Sequence, residues 1–247
     1  MLRNKLEDRT LKENLLLASS SAFVAGAVNV AGLIAFFAFS SNITGHVANL
    51  AKNIAELDSD DIISLTIWLF SFFSGAFIAS FVINSFQESS TYKAHAIPII
   101  IEIITLLIIA FYGDIFYKGN HLVSEMLVAG LLFSMGMQNG TVSNITNGLV
   151  KTSHLTGLIT DLGNEVAYYW HPNTPQDKPV RNKIIIRLTI FTLYVAGGMI
   201  GAYSFYKVNF KIFYFIPLIL ASILVYDLKP LLAHRIRKQL QIGNFDE

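Results

Sequence analysis

Cysteine is absent from the 247 residues. That absence excludes disulfides, thiolate catalysis and cysteine-based zinc sites, and leaves the redox compartment open. Charge is scarce too: 14% of residues are Asp, Glu, Lys or Arg, and the net charge is +1. The basic residues form no aromatic-interleaved stripe, so nucleic acid is not an expected partner. Also missing are His-Glu-x-x-His, Gly-x-Ser-x-Gly and a phosphate-binding Gly-Lys-Ser/Thr loop. Neither an enzymatic role nor a bound cofactor or metal is expected.

What the chain has in plenty is apolar sequence, with 53% hydrophobic residues and a mean hydropathy of +0.51. Residues 15–45 and 62–87 contain no Asp, Glu, Lys or Arg. A helix needs roughly 20 apolar residues to cross a bilayer core, so both stretches read as spans and a lipid bilayer is the expected surrounding. The full pattern predicts an all-α transmembrane protein with six spans, at about 15–39, 62–86, 96–113, 122–142, 184–206 and 210–227. The first reads as a retained span, since its apolar run is too long for a signal peptide and lacks a cleavage site. Residues 1–14 mix both charges and suit an amphipathic lead-in at a membrane surface. Three prolines within 171–183 mark an exposed linker, and 229–247 form a basic tail.

One phrase occurs twice. Ser41-Asn42-Ile43-Thr44-Gly45-His46-Val47-Ala48-Asn49-Leu50 returns as Ser153-His154-Leu155-Thr156-Gly157-Leu158-Ile159-Thr160-Asp161-Leu162, with Ser, Thr, Gly and Leu in identical places. Upstream, Gly26-x-x-Asn29 is matched by Gly136-x-x-Asn139. Downstream, Ile97-Pro98 is matched by Ile216-Pro217. Three landmarks in the same order predict an internal repeat, residues 15–113 and 122–228, each with three spans and a polar Thr-Gly helix break. An odd number of spans per copy makes the repeats inverted. With the N-terminus inside, the inner segments hold thirteen Lys and Arg against four outside. That bias puts both termini in the cytoplasm.

The residues Gly26 to Asn29, Thr44-Gly45, Gln138-Asn139 and the run from Thr152 to Gly163 resemble the YoaK family of bacterial multispanning membrane proteins. The resemblance covers nearly the whole chain and implies a six-span bacterial inner-membrane protein. It names no substrate. The family usually carries Asp where this chain has Asn29, and Asn after Thr-Gly where this chain has His46.

Inverted repeats with a polar break at equivalent points are what a secondary transporter of a small solute or ion needs, because backbone groups freed at a break can ligate cargo in a cavity. On this reading Asn29, Thr44, Gly45 and His46 face Gln138, Asn139, His154, Thr156, Gly157 and Asp161. The plainer alternative is that Gly and Thr cap helix ends. Likewise, His154 and Asp161 share a helix face with Glu165, either as a proton relay or cation site or as surface ion pairs. Glu102 is an intramembrane carboxylate with Ala221 at the matching position, which fits either proton coupling or a structural hydrogen bond. Ser71, Gly75 and Ala79 form one small-residue face, and Gly197 and Gly201 another, for helix packing or a homodimer contact. Arg187, near the start of its span, is expected to snorkel to the interface. The competing function is a non-transporting membrane interaction or assembly protein.

Overall fold

The computed structural model describes residue 2, residues 9–175 and residues 177–243, with 229–243 described as backbone alone. All its regular elements are helical: α1 (Leu11–Phe36), α2 (Ile43–Glu56), α3 (Ser59–Phe86), α4 (Thr91–Ile115), α5 (His121–Thr146), α6 (Leu155–Trp170), α7 (Lys178–Val208), a 3-10 turn (Asn209–Lys211) and α8 (Ile212–Gly243). The basic side chains expected in 229–247 lie outside the described residues, as do Arg3 and Lys5 of the N-terminal lead-in.

Local chemistry sets the helix starts. Thr10 and Glu13 form a capping box on α1: Thr10 N–H donates to Glu13 Oε2 at 3.0 Å, and Glu13 N–H to Thr10 Oγ1 at 3.3 Å. The acidic residues after α2 are part of α3: Asp58 is its N-cap, with Asp60 and Asp61 in the first turn, where carboxylates complement the helix dipole. Lys93 and His95 lie within α4, because Ser90 caps that helix on the Lys93 N–H. The linker is shorter than 171–183: Asp177 caps α7 on the Val180 N–H at 3.0 Å, and Pro179 sits in the first turn. There proline's missing N–H costs nothing.

Among the described residues, four segments are long and apolar enough to cross a membrane: 11–36, 59–86, 91–115 and 178–228, the last holding α7 and most of α8. The expected fourth span, α5, is not among them. Its polar Gln138 and Thr141 are buried where α5 packs between α1, α3 and α4, so this helix meets protein where an outer helix meets lipid. By contrast only 17% of the apolar stretch of α3 is buried, against 67% for α1. Phe70, Phe73, Phe77 and Phe81 run along the exposed side of α3 as a stripe, with Phe73 and Phe77 rings 6.1 Å apart. An apolar stripe of that kind fits a lipid surround.

The most extensive contacts are α1 on α7 and α3 on α5, with α4 packed against both α5 and α8. Glycine sets how close the first two pairs come. A Cβ on Gly26 would stand 2.0 Å from the Tyr194 carbonyl oxygen, and one on Gly136 2.1 Å from that of Phe72. From the other side, a Cβ on Gly197 would meet the Phe23 carbonyl oxygen at 2.1 Å, and one on Gly75 that of Phe133 at 2.1 Å. Gly201 packs on the backbone of Ala27, and Ala79 is fully buried beside Gly140. The short helices α2 and α6 lie on α3 and α7. Leu2 is fully buried and does not lie on an outer surface, its N–H donating to Asp227 and its carbonyl meeting His95 Nδ1.

Candidate functional site

Two helix interruptions build the site. α1 ends where Phe37 turns left-handed (φ 54°) and returns its N–H to the Leu33 carbonyl at 2.9 Å. α5 ends likewise at Asn147 (φ 49°), followed by Gly148 (φ 75°). The breaks are therefore 37–42 and 147–154, and Thr44-Gly45 and Thr156-Gly157 belong to the first turns of α2 and α6. The glycines of the phrase serve clearance and not backbone freedom: a Cβ on Gly45 would lie 2.5 Å from the capping Asn42 side chain, and one on Gly157 2.5 Å from the His154 ring. Asn42 Oδ1 accepts the Gly45 N–H at 3.1 Å, whereas His154 makes no side-chain cap bond.

An asparagine ties each break to the helix before it. Asn29 Oδ1 accepts from Ser40 Oγ at 3.2 Å and Ser41 Oγ at 3.1 Å, and Asn29 Nδ2 donates to Tyr194 Oη at 2.7 Å. Asn139 Oδ1 accepts from Thr152 Oγ1 at 3.2 Å, and Asn139 Nδ2 donates to Ser153 Oγ at 2.5 Å. Each hub bonds side-chain hydroxyls of its break and so pins that segment to the helix before it. Apart from its position in the phrase, where Ser41 and Ser153 coincide, nothing in the sequence marks these serines. Tyr194 carries no sequence signal at all.

Between the breaks lies a cavity of about 810 Å³. Asn29, Ser41, Asn42 and Thr44 line it from one side, and Asn139, Lys151, Ser153, His154 and Thr156 from the other, with Phe39, Phe72 and Tyr194 adding aromatic wall. Thr44, His154 and Thr156 are exposed, while Asn29 is buried. Gly45, His46, Gln138, Gly157 and Asp161 do not line it. His46 turns the other way, its Nε2 2.7 Å from the Phe39 carbonyl and its ring edge-on to Trp68. Burial pushes the His46 imidazole below its ordinary value, and the Phe39 contact opposes that shift. Gln138 is buried against α1, where its Nε2 donates to the Ser21 carbonyl at 2.9 Å.

Asp161 and Glu165 belong to a different structure. Arg187 of α7 binds Glu165 through Nε at 2.7 Å and Nη2 at 2.9 Å, and Asp161 through Nη1 at 3.1 Å. Asp161 also stands 3.9 Å from Lys151 Nζ. Arg187 is 8% exposed, so it is held by two carboxylates of α6 and does not snorkel outward. Among the described residues the partners of Asp161 are Arg187 and Lys151, and His154 is not one of them. A bidentate guanidinium pair of this kind clamps α6 onto α7.

Glu102 is buried on α4, 1% exposed, and its Oε1 has no hydrogen-bond partner among the described residues. It lies two turns before Ile109, on the face that packs over Gly130 of α5. On α5 itself, Ser134 Oγ and Gln138 Oε1 are likewise buried without partners.

No curated protein and no solved structure matches the chain. Residues 17–226 match a family model described as "Protein of unknown function (DUF1275)". That match runs from within α1 into α8 and covers far more than half of the sequence, and the chain accordingly belongs to the DUF1275 family.

Proposed function

We propose that this protein is a carrier of a small solute or ion in the bacterial inner membrane, crossing it six times as two inverted three-span halves with both termini in the cytoplasm. The observation that carries the reading is the cavity between the two helix breaks, which takes its polar wall from equivalent residues: Asn29, Ser41 and Thr44 from one half, Asn139, Ser153 and Thr156 from the other. Cavities where broken helices meet near a repeat interface suit alternating access, because rocking one half against the other re-exposes a fixed site.

The packing supports two copies of one unit. Phe23 and Gly26 stand on α1 as Phe133 and Gly136 stand on α5, and their partners Tyr194 and Gly197 on α7 correspond to Phe72 and Gly75 on α3. The short helices follow the same scheme, α2 on α3 and α6 on α7. On this reading α5, shielded by its neighbours, is the fourth crossing. Glu102, a buried carboxylate whose Oε1 has no partner among the described residues and which has Ala221 at the matching position of the second half, carries the coupling proton.

A thermal-shift screen of the purified protein in detergent, against small metabolites and ions at two pH values, tests this directly, since a bound ligand raises the melting temperature by mass action. A stabiliser that fails to act on Thr44→Val or Thr156→Val supports a site at the breaks. A panel without any stabiliser, together with unchanged behaviour of both variants, overturns the carrier and favours the interaction or assembly protein. If Glu102→Gln keeps the wild-type dependence of binding on pH, the coupling role fails.

A further inference from the structure

The cavity between the breaks has a one-sided electrostatic character. Its lining includes Lys151 and the titratable His154 but no Asp or Glu. Both short helices begin at its wall, through Ile43 and Thr44 for the 14-residue α2 and Leu155 and Thr156 for the 16-residue α6. The first N–H groups of a helix have no intrahelical acceptor and carry its positive dipole end. Of the two starts, α6 receives no side-chain cap. The nearby carboxylate, Asp161, is held by Arg187 at 3.1 Å and reaches Lys151 Nζ only at 3.9 Å, beyond hydrogen-bond distance. Lys151 therefore keeps donors for another acceptor. The wall also has an apolar part, made by Val30, Phe39, Phe72 and Leu155, and the volume of about 810 Å³ lies in the range of ordinary small-molecule sites.

Resting on the reading of this cavity as the cargo site, we propose that its cargo is a small organic anion, with the anionic group between Lys151 and the start of α6 and an apolar body against Phe39 and Phe72. No carboxylate lines the cavity for a cation to meet, and the nearby Asp161 is engaged by Arg187. The two asparagine hubs and the threonine hydroxyls supply neutral hydrogen bonds for whichever polar atoms the anion carries besides its charge.

The absence of cysteine makes the test direct, because a single introduced cysteine is the sole thiol. Thr156→Cys and, separately, Thr44→Cys are reacted in the purified full chain with three methanethiosulfonates, bearing a 2-sulfonatoethyl, a 2-trimethylammonioethyl or a methyl group. The anionic-to-cationic rate ratio, normalised to that of free 2-mercaptoethanol, is expected to rise about tenfold, since a cleft lined by one sign of charge concentrates counter-ions. Lys151→Gln should cut the ratio about threefold or more, and Lys151→Arg should restore it. A ratio at or below that of the free thiol, or one unmoved by Lys151→Gln, overturns the anion and leaves the cavity standing. Failure of both cysteines to react even with the uncharged reagent overturns the cavity itself.

Discussion

Asn29 and Ser41 are hydrogen-bonded at 3.1 Å across a chain reversal, so the segment that leaves α1 is pinned back onto it within a few residues. Asn139 and Ser153 make the corresponding contact at 2.5 Å after α5, in the opposite sense, with the amide Nδ2 donating to the serine hydroxyl. The two hubs hold the edges of the cavity, and they give the first prediction. Asn139→Ala removes the acceptor of Thr152 and the donor to Ser153, leaving buried polar groups unsatisfied at a cost of about 1–3 kcal/mol. Thermal unfolding in detergent should register it as a drop of about 2–4 °C per kcal/mol for a chain of this size. Asn29→Asp keeps the acceptor of Ser40 and Ser41, and its second oxygen can accept from the Tyr194 hydroxyl where the amide donated to it, so it should cost less than Asn29→Ala in the same measurement.

The glycine crossings give a second. Gly75→Ala and Gly197→Ala force a methyl group into a facing carbonyl oxygen on a neighbouring helix, and overpacking of this sort costs about 1–3 kcal/mol or more. Gly163→Ala, in α6 with nothing within 4 Å of the added carbon, should instead stabilise by about 0.5–1 kcal/mol through helix propensity. Melting temperatures of the three variants compared side by side decide the matter. Equal effects at all three positions would contradict the close approach.

The clamp of α6 on α7 gives a third. Glu165→Ala removes two of the three carboxylate contacts of the buried Arg187 and leaves Asp161 as its remaining partner, so it should cost about 1.5–3 kcal/mol, the range for hydrogen bonds to charged groups. Asp161→Ala, at a side chain that is 36% exposed, should cost clearly less. Pairing each with Arg187→Met in a double-mutant cycle should return a larger coupling for Glu165 than for Asp161.

A fourth concerns pH. His46 is neutral in the folded state to a lower pH than in the unfolded chain, because burial lowers its affinity for protons below the ordinary 6.5. Between the lowered folded value and 6.5 the unfolded chain binds more protons, so stability rises with pH in that window. The contribution is complete above 6.5 and is lost as pH falls below it. Chemical denaturation of wild type between pH 7.5 and 5.5 should therefore show a loss of stability that His46→Gln reduces. A variant that titrates like wild type would assign the loss to other groups.

Much of the architecture was legible in the sequence, because helix length and apolar content are local properties set by the 1.5 Å rise per residue and the thickness of a bilayer. The doubled phrase and its Gly-x-x-Asn antecedent led straight to Asn29, Asn139, Thr44, His154 and Thr156, all of which line one cavity. Direction was not legible. His46 and Gln138 belong to the same motifs, yet one side chain turns to Phe39 and Trp68 and the other to the Ser21 carbonyl. Within a helix, adjacent positions point about 100° apart, so residues of one motif serve different neighbours.

Spacing on one helix also grouped His154 with Asp161 and Glu165, whereas the partner that claims the two acids is Arg187, on the next helix and beyond the linker. The sequence by itself determined the long apolar helices and the neighbourhood of the two interruptions, since these depend on neighbours in the chain, while the interruptions fall at 37–42 and 147–154, just before the Thr-Gly pairs. Only the tertiary structure decided that α1 crosses α7 and α3 crosses α5 at glycine contacts, and that the two breaks enclose one cavity. Close approach between helices depends on which backbone carbonyl faces which missing side chain, a relation between residues far apart in the chain.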